Sequence, residues 1–308
     1  MKNALIIGST CVDVIIRLDH LPKTEEDLHP ESQRFAVGGC AYNVANILQR
    51  AKVPLTFITP VGGQGVYGHY VKRQLDALAF PDYIDLPEAE NGCCYCFVEK
   101  SGERTFVSHH GVEYTFDPTW MQQHSDKYFD FGYVCGLEIE EKTGDALIEY
   151  LEAAPIETLF YAPGPTGVRI PSEKNARIYA LHPVLHLNES EAMALGEADS
   201  VLAAARNLTA KTQNAVIVTR GEQGVFWMNR GGAGYALSGT PQKVVDTIGA
   251  GDAHIATTIL GLCRGLSLSA ALSLANRVAA AVVATEGATL SDADFTALLG
   301  LPAPEIEY

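Results

Sequence analysis

The sequence predicts an α/β fold: a mainly parallel sheet covered on both faces, with a small β-sheet lid. Apolar strand-like runs alternate with amphipathic helical stretches along most of the chain. One region, "CCYCFVEKSGERTFVSHHG", breaks that rhythm with two β-type runs around a turn. The length of 308 residues, 47% hydrophobic and 19% charged, is enough to bury a large core. No Pro/Gly/Ser-rich segment divides the chain and no repeat period occurs, so residues 1–308 read as one domain with a lid.

Taken in order, "NALIIG" is a buried first strand ending at a glycine, and "VDVIIRL" continues in extended form. "GGCAYNVANILQRA" is a glycine turn opening an amphipathic helix with Val44, Ile47 and Leu48 on one face. "LTFITPVGG" reads as one apolar strand followed by glycines, and "GHYVKRQLDAL" as the next helix. The hairpin about "KSGE" joins the extended pieces nearby, so lid strands are expected from about 13–18, 33–37, 92–98 and 104–109. In the second half, "AVIVTRGEQGVFWM" holds a buried strand from Ala215 to Thr219, a glycine-bearing turn and a further strand.

Charge and cysteine content exclude several functions. A formal net charge of −15 disfavours nucleic acid and anionic membranes as partners. The N-terminal apolar run is broken by Asp13 and Arg17, too short and too charged for a signal peptide or membrane span, and a cytoplasmic protein is expected. Seven cysteines, an odd number, argue against a disulfide framework. Cys93, Cys94 and Cys96 invite a metal reading but lack paired C-x-x-C spacing; on a strand, Cys94 and Cys96 share a face opposite Cys93, and small buried hydrophobes are the simpler account.

The stretch "VDTIGAGDAH" places Gly249, Ala250 and Gly251 between Asp246 and Asp252, with a helix expected to begin near Asp252. Backbone N–H groups at such a turn are unpaired and carry partial positive charge, which makes an anion site. Helix capping explains Asp252 alone. A loop that stabilises charge on a transferring phosphoryl group, beside a carboxylate that accepts a hydroxyl proton, explains all four residues. Neither a Walker G-x-x-x-x-G-K-[ST] nor a G-x-G-x-x-G after the first strand is present.

"DTIGAGD" resembles the C-terminal signature of the ribokinase, or PfkB carbohydrate kinase, family, and "GGCAYNVA" resembles its N-terminal glycine signature. The resemblance implies a ribokinase-like three-layer sandwich, ATP and Mg²⁺, and a monovalent cation such as K⁺. By it, Asp252 is the catalytic base, and Gly249, Ala250 and Gly251 form the anion hole. Asp246, with carbonyls near Thr285 and Gly287, would hold the cation. Asn188 and Glu191 match N-x-x-E near Mg²⁺, although the same spacing marks a helix start. Thr219, Gly221 and Gly224 resemble the nucleotide-side turn, with a plain strand turn as the alternative, and Asn276 falls at an adenine-side position, or packs a helix. Asp13, Gly38, Gly39 and Asn43 correspond to sugar contacts. Glu138 corresponds to another acceptor-side acid, in uncertain register with Glu140 and Glu141; a solvated acidic helix start is the alternative.

Departures from the pattern are Gln64 and Val66 in "VGGQGVYG" and His254 in place of a common aromatic. "YAPGPTG" reads as a strand-end loop near the cleft. No cationic residue occurs in "STCVD" or "GGCAYN", and Arg104 and Lys100 are expected to face water, so an uncharged acceptor is favoured. Tyr42, Tyr95, His109 and His110 are candidates to border the cleft and stack on a base; the alternative is that Tyr95 packs the lid and the histidines are exposed loop residues. The resulting expectation is a kinase of the 5′ hydroxyl of a ribonucleoside such as pseudouridine, with ribose, fructose or a keto-deoxy sugar acid as alternative acceptors. A homodimer through the lid is expected as an option. An inactive sugar- or nucleotide-binding regulator on the same fold is the reading of another class, and a dinucleotide-binding enzyme a third.

Overall fold

A computed structural model describes residues 2–300 apart from 81, 82, 102, 125, 238–243, 286 and 288. Gly102 of the "KSGE" turn therefore lies outside the described residues. In chain order, the first half comprises β1 (Ala4–Ile7), β2 (Cys11–Leu18), β3 (Ser32–Gly38), α1 (Cys40–Arg50), β4 (Leu55–Ile58), β5 (Pro60–Gln64), α2 (Gly65–Ala77), β6 (Ile84–Glu90), β7 (Cys93–Glu99), β8 (Arg104–His109) and α3 (Pro118–Gln122). There follow β9 (Phe129–Cys135), α4 (Gly136–Glu140), α5 (Gly144–Ala153), β10 (Ile156–Ala162), α6 (Ser172–Ala180), β11 (Val184–Asn188), α7 (Glu189–Gly196), α8 (Val201–Thr212) and β12 (Val216–Thr219). The chain closes with β13 (Val225–Asn229), β14 (Gly232–Ala236), α9 (Ala250–Cys263), α10 (Leu268–Val283) and α11 (Asp292–Gly300).

The main sheet has the order β14-β13-β12-β11-β10-β9-β1-β4. Its strands from β12 to β4 run parallel, while β13 and β14 add an antiparallel edge. Side-chain alternation splits the core between the two faces. Ala4 and Ile6 pack with Val44, Leu48, Ala256, Ile259 and Val278 of α1, α9 and α10. Leu5 and Ile7 point the other way, toward Leu147, Ile148, Ile178 and Leu208 of α5, α6 and α8. The result is the expected three-layer ribokinase-like arrangement. "LTFITPVGG" is not one strand: β4 joins the main sheet, whereas β5 leaves it to pair in parallel with β6.

A second sheet has the order β3-β2-β7-β8. Its register fixes its two faces. Asp13 lies opposite Cys94 and Ala36, and Cys94 opposite Ser108; Ile15 lies opposite Cys96 and Arg34, and Cys96 opposite Phe106. These residues, with Arg104 at the end of the β8 row, share one face. The opposite face carries Val12, Val14 and Tyr95 against α2, where Tyr67 and Tyr70 meet Phe35 edge-on.

The sheet order reverses at β1, which is flanked by β4 on one side and β9 on the other. A crevice forms beyond the carboxyl ends of strands at such a switch point. The chain leaves β1 through Gly8, Ser9 and Thr10 into β2, and leaves β9 directly into α4. Among the described residues, no helix is long and apolar enough to cross a membrane.

Candidate active site

The glycine turn before α1 exists because side chains would not fit. A Cβ on Gly38 would fall on the Asp13 carboxylate, and one on Gly39 would meet the Ser9 carbonyl. Gly39 also has φ of 102°, which L side chains rarely adopt. The turn thus seats Asp13 and starts the helix that carries Asn43.

Gly249, with φ of 73°, caps α9, and the helix begins at Ala250, two residues earlier than expected. Asp252 therefore lies in the first turn, with its carboxylate near the helix N-terminus. Asn43 Nδ2 donates to Asp252 Oδ2 over 2.8 Å, and the Asn43 amide and, after it, the Cys40 thiol favour the charged form of this carboxylate. Burial nevertheless pushes the Asp252 carboxyl up to about 6. Asp13 is likewise raised to about 6, by burial first and then by the negative charge of Asp252, against a lowering influence of Arg34. The negative charge of Asp252, on the main layer, thus reaches the Asp13 carboxyl of the lid.

Asp246 braces the loop before α9. Its Oδ1 accepts from the Ile248 amide over 2.8 Å, and its Oδ2 from the Gly287 amide over 3.1 Å. The Asp246 and Val245 amides both donate to the Val283 carbonyl, which brings Thr285 and Gly287 alongside. The Thr285 hydroxyl donates to the Val282 carbonyl.

Arg104 corrects the expectation that it faces water. Its guanidinium lies 3.0 Å from Asp246 Oδ1 and donates to the Thr247 hydroxyl over 2.7 Å, with 14% and 5% of the two charged side chains exposed. Sequence reading missed it because its partner is 142 residues away. The alternation that puts Arg104, Phe106 and Ser108 on one face of β8 was the signal that could have found it. Lys100, by contrast, is exposed.

Glu138 is fully buried, and its Oε1 accepts from the Ser9 amide over 2.9 Å, which ties the end of β1 to α4 across the switch point and overturns the solvated alternative. Asn188 and Glu191 form a complete capping box on α7. Asn188 also lies beside Thr219 in register, at the start of the turn containing Gly221 and Gly224, with φ of 55° and 81°. Asn276 is buried; its amide donates to the Ala236 and Leu237 carbonyls, and its oxygen meets His254 Nε2 at 3.2 Å, so its polar atoms join α10 to β14 and α9 rather than open toward a base. His254 Nδ1 in turn lies 2.8 Å from His186 Nε2.

The proposed stacking residues change too. Tyr42 is core, against Phe80. Tyr95 is on the α2 face, its hydroxyl 3.2 Å from that of Tyr67. His110 stacks on Tyr114 and pairs with Glu141. His109 is exposed. Phe106, 53% exposed on the Asp13 face of the lid, is an aromatic that the sequence reading did not single out. Val66 is exposed, and Gln64 donates to the Pro87 carbonyl. The end of "YAPGPTG" lines a hollow of about 700 Å³ with Tyr179 and Lys211, which shares no residue with the Asp13, Asp246 and Asp252 group.

The family model described as pfkB family carbohydrate kinase matches residues 1–294. The chain belongs to the pfkB family of carbohydrate kinases. It is an ATP-dependent sugar or nucleoside kinase, which displaces the dinucleotide-binding alternative. The kinase is 32% identical over 290 residues to the uncharacterized sugar kinase YegV of Escherichia coli (strain K12), covering 93% of this chain and 90% of the relative. It is 27% identical over 291 residues to the ribokinase of Bacillus subtilis (strain 168), covering 94% and 95%. The ribokinase structure from Thermotoga maritima superposes with a TM-score of 0.80 at 21% identity, covering 97% and 99% of the two chains. Members of this family generally use ATP and Mg²⁺.

Proposed function

We propose that this kinase transfers the γ-phosphoryl group of ATP to a primary hydroxyl of a small uncharged acceptor, the 5′ hydroxyl of a ribonucleoside such as pseudouridine. The observation that carries this reading is Asp252, held by Asn43 in the first turn of α9, with its negative charge reaching Asp13 of the lid. Asp13 accepts hydrogen bonds from an acceptor diol, seated by Gly38 and Gly39, and Asn43 holds Asp252 in orientation. Asp252 takes the proton from the attacking hydroxyl. The N–H groups of Gly249, Ala250 and Gly251 stabilise charge on the transferred group. Glu138 acts behind the site, holding Ser9 and thereby the strand end that leads to Asp13.

An uncharged acceptor is supported because the two lid arginines nearest these carboxylates are already matched, Arg104 at Asp246 and Arg34 at Asp13. Phe106 offers a face on which a base can stack. The loss of Tyr42 and His110 as stacking candidates favours a second reading, in which the acceptor is a free sugar such as ribose, fructose or a keto-deoxy sugar acid. Thr219, Gly221 and Gly224 border the nucleotide in both readings. Glu191 fits Mg²⁺ through water, since Oε2 is engaged with the Asn188 amide at the same strand edge as Thr219. Bound there, Mg²⁺ would neutralise phosphate charge. Asp246, Thr285 and Gly287 would border a monovalent cation, beside the positive charge that Arg104 supplies. A cytoplasmic location, and a homodimer through the lid, belong to the same reading.

Measurement of ADP release with ATP·Mg²⁺ over a panel of pseudouridine, uridine, cytidine, adenosine, ribose and fructose, with and without K⁺, tests it. Turnover with one nucleoside supports the first reading, and turnover with a sugar alone supports the second. A K⁺-independent rate removes the cation from the proposal.

A further inference from the structure

The cysteine run that lacked a metal-binding partner in sequence finds one in the lid. Cys94 and Cys96 share a face of β7, and Asp13 lies opposite Cys94 in register on β2. The two Sγ atoms are 3.7 Å apart. One oxygen of Asp13 and both sulfurs lie within 4.8 Å of one another. Two thiolates bound at about 2.3 Å to a tetrahedral Zn²⁺ sit about 3.8 Å apart, which is the spacing already present. A disulfide suits the pair less well, since alternate residues of one strand have Cα atoms about 6.6 Å apart, at the upper limit for a bridge.

We propose that Asp13, Cys94 and Cys96 form a binding site for a thiophilic divalent cation of the Zn²⁺ class, and that its occupancy excludes the acceptor. The site is distinct in chemistry from an all-oxygen Mg²⁺ site, because two soft sulfur ligands select Zn²⁺ over Mg²⁺. Coordination releases the two thiol protons to solvent and leaves a fourth position for water. The exclusion of acceptor rests on the proposed role of Asp13; the metal site itself does not. The carboxylate cannot serve the cation and an acceptor diol with the same oxygens.

The full chain is titrated with Co²⁺ and followed by thiolate-to-metal charge-transfer absorption, and Zn²⁺ is then used to displace it. Kinase activity is assayed in parallel at buffered free Zn²⁺. The expected results are one site per chain, a Zn²⁺-dependent rise in the acceptor KM with kcat unchanged, and full reversal by chelator. Cys94→Ser and, separately, Cys96→Ala should lose the absorption band and weaken Zn²⁺ inhibition more than about tenfold while keeping basal turnover. Absence of the band in wild type, or a band untouched by both variants, overturns the site. A cysteine-dependent band with inhibition indifferent to acceptor concentration leaves the site standing and overturns the exclusion of acceptor, and with it the role given to Asp13.

Discussion

Asn43 donates its side-chain amide to Asp252 over 2.8 Å, joining the helix after the first glycine turn to the helix after the second. The two signatures are thus one device, in which the first orients the carboxylate supplied by the second. Asp252→Asn keeps the shape but cannot accept the hydroxyl proton. Turnover should fall about a hundredfold or more, with ATP and acceptor binding largely retained. Steady-state kinetics and nucleotide titration check this, and unchanged turnover overturns the base assignment.

Burial raises both Asp252 and Asp13 to about 6, so kcat/KM should decline as pH falls through that value and the base becomes protonated. Asn43→Leu removes a donor that favours the charged form and should move this acid limb to higher pH. The linkage to stability has the opposite sense. With a folded value near 6 against an ordinary 3.8, the native state binds more protons between these limits, so the ionised Asp252 costs stability above about 6. Asp252→Asn should therefore melt above wild type at neutral pH, by a margin that narrows as pH falls from about 6 toward 3.8. Thermal melts of both proteins across that window provide the check.

The parts legible in sequence were those whose cause is local. Gly38 and Gly39 announce a turn that opens a helix, and Gly249 with Gly251 a second such turn, although the cap at Gly249 lies earlier than the sequence suggests. The runs "ALII" and "AVIVT" announce buried strands. What sequence hides is set by register between distant strands. Arg104 looked exposed because a hairpin turn is polar, yet its place in the β8 alternation aims it at Asp246. Tyr95 sits one residue from Cys94, and that single step turns it from the cleft to α2. Glu138 lies among three acidic residues of similar aspect; burial against Ser9 distinguishes it, and burial is not local information.

Arg104 bridges the lid to the loop before α9, at Asp246 and Thr247. Removing one member of so enclosed a pair leaves a charge without compensation, at a cost of about 3–5 kcal/mol for a fully buried pair and less for one with Arg104 partly open to solvent. Arg104→Gln should lower the melting temperature and raise the acceptor KM, because the lid loses its tie to Asp246 and Thr247. A double-mutant cycle with Asp246→Asn should give a coupling of about 0.5–3 kcal/mol. Additive effects of the two substitutions would remove the latch.

His254 follows Asp252 by two residues, yet on a helix that step is a turn of about 200°, which sends the imidazole into the core. There it bridges His186 and Asn276. The Asn276 amide hydrogens are committed to β14, so its oxygen accepts from His254 Nε2–H, and His254 Nδ1 must accept from His186 Nε2–H. The His254 ring is then neutral, in agreement with burial holding it down to about 4, and burial likewise holds His186 well below its ordinary value. His254→Phe would strand a donor on His186 and an acceptor on Asn276, costing about 1–3 kcal/mol while leaving the Asp252 chemistry in place. For a histidine with a depressed folded value, stability is present above 6.5 and is lost as pH falls toward 4, the reverse of the Asp252 contribution. The wild type should therefore lose stability relative to His254→Phe over that interval. Chemical denaturation of the two proteins at a series of pH values measures the difference, and a constant gap would mean that His254 is not buried in its neutral form.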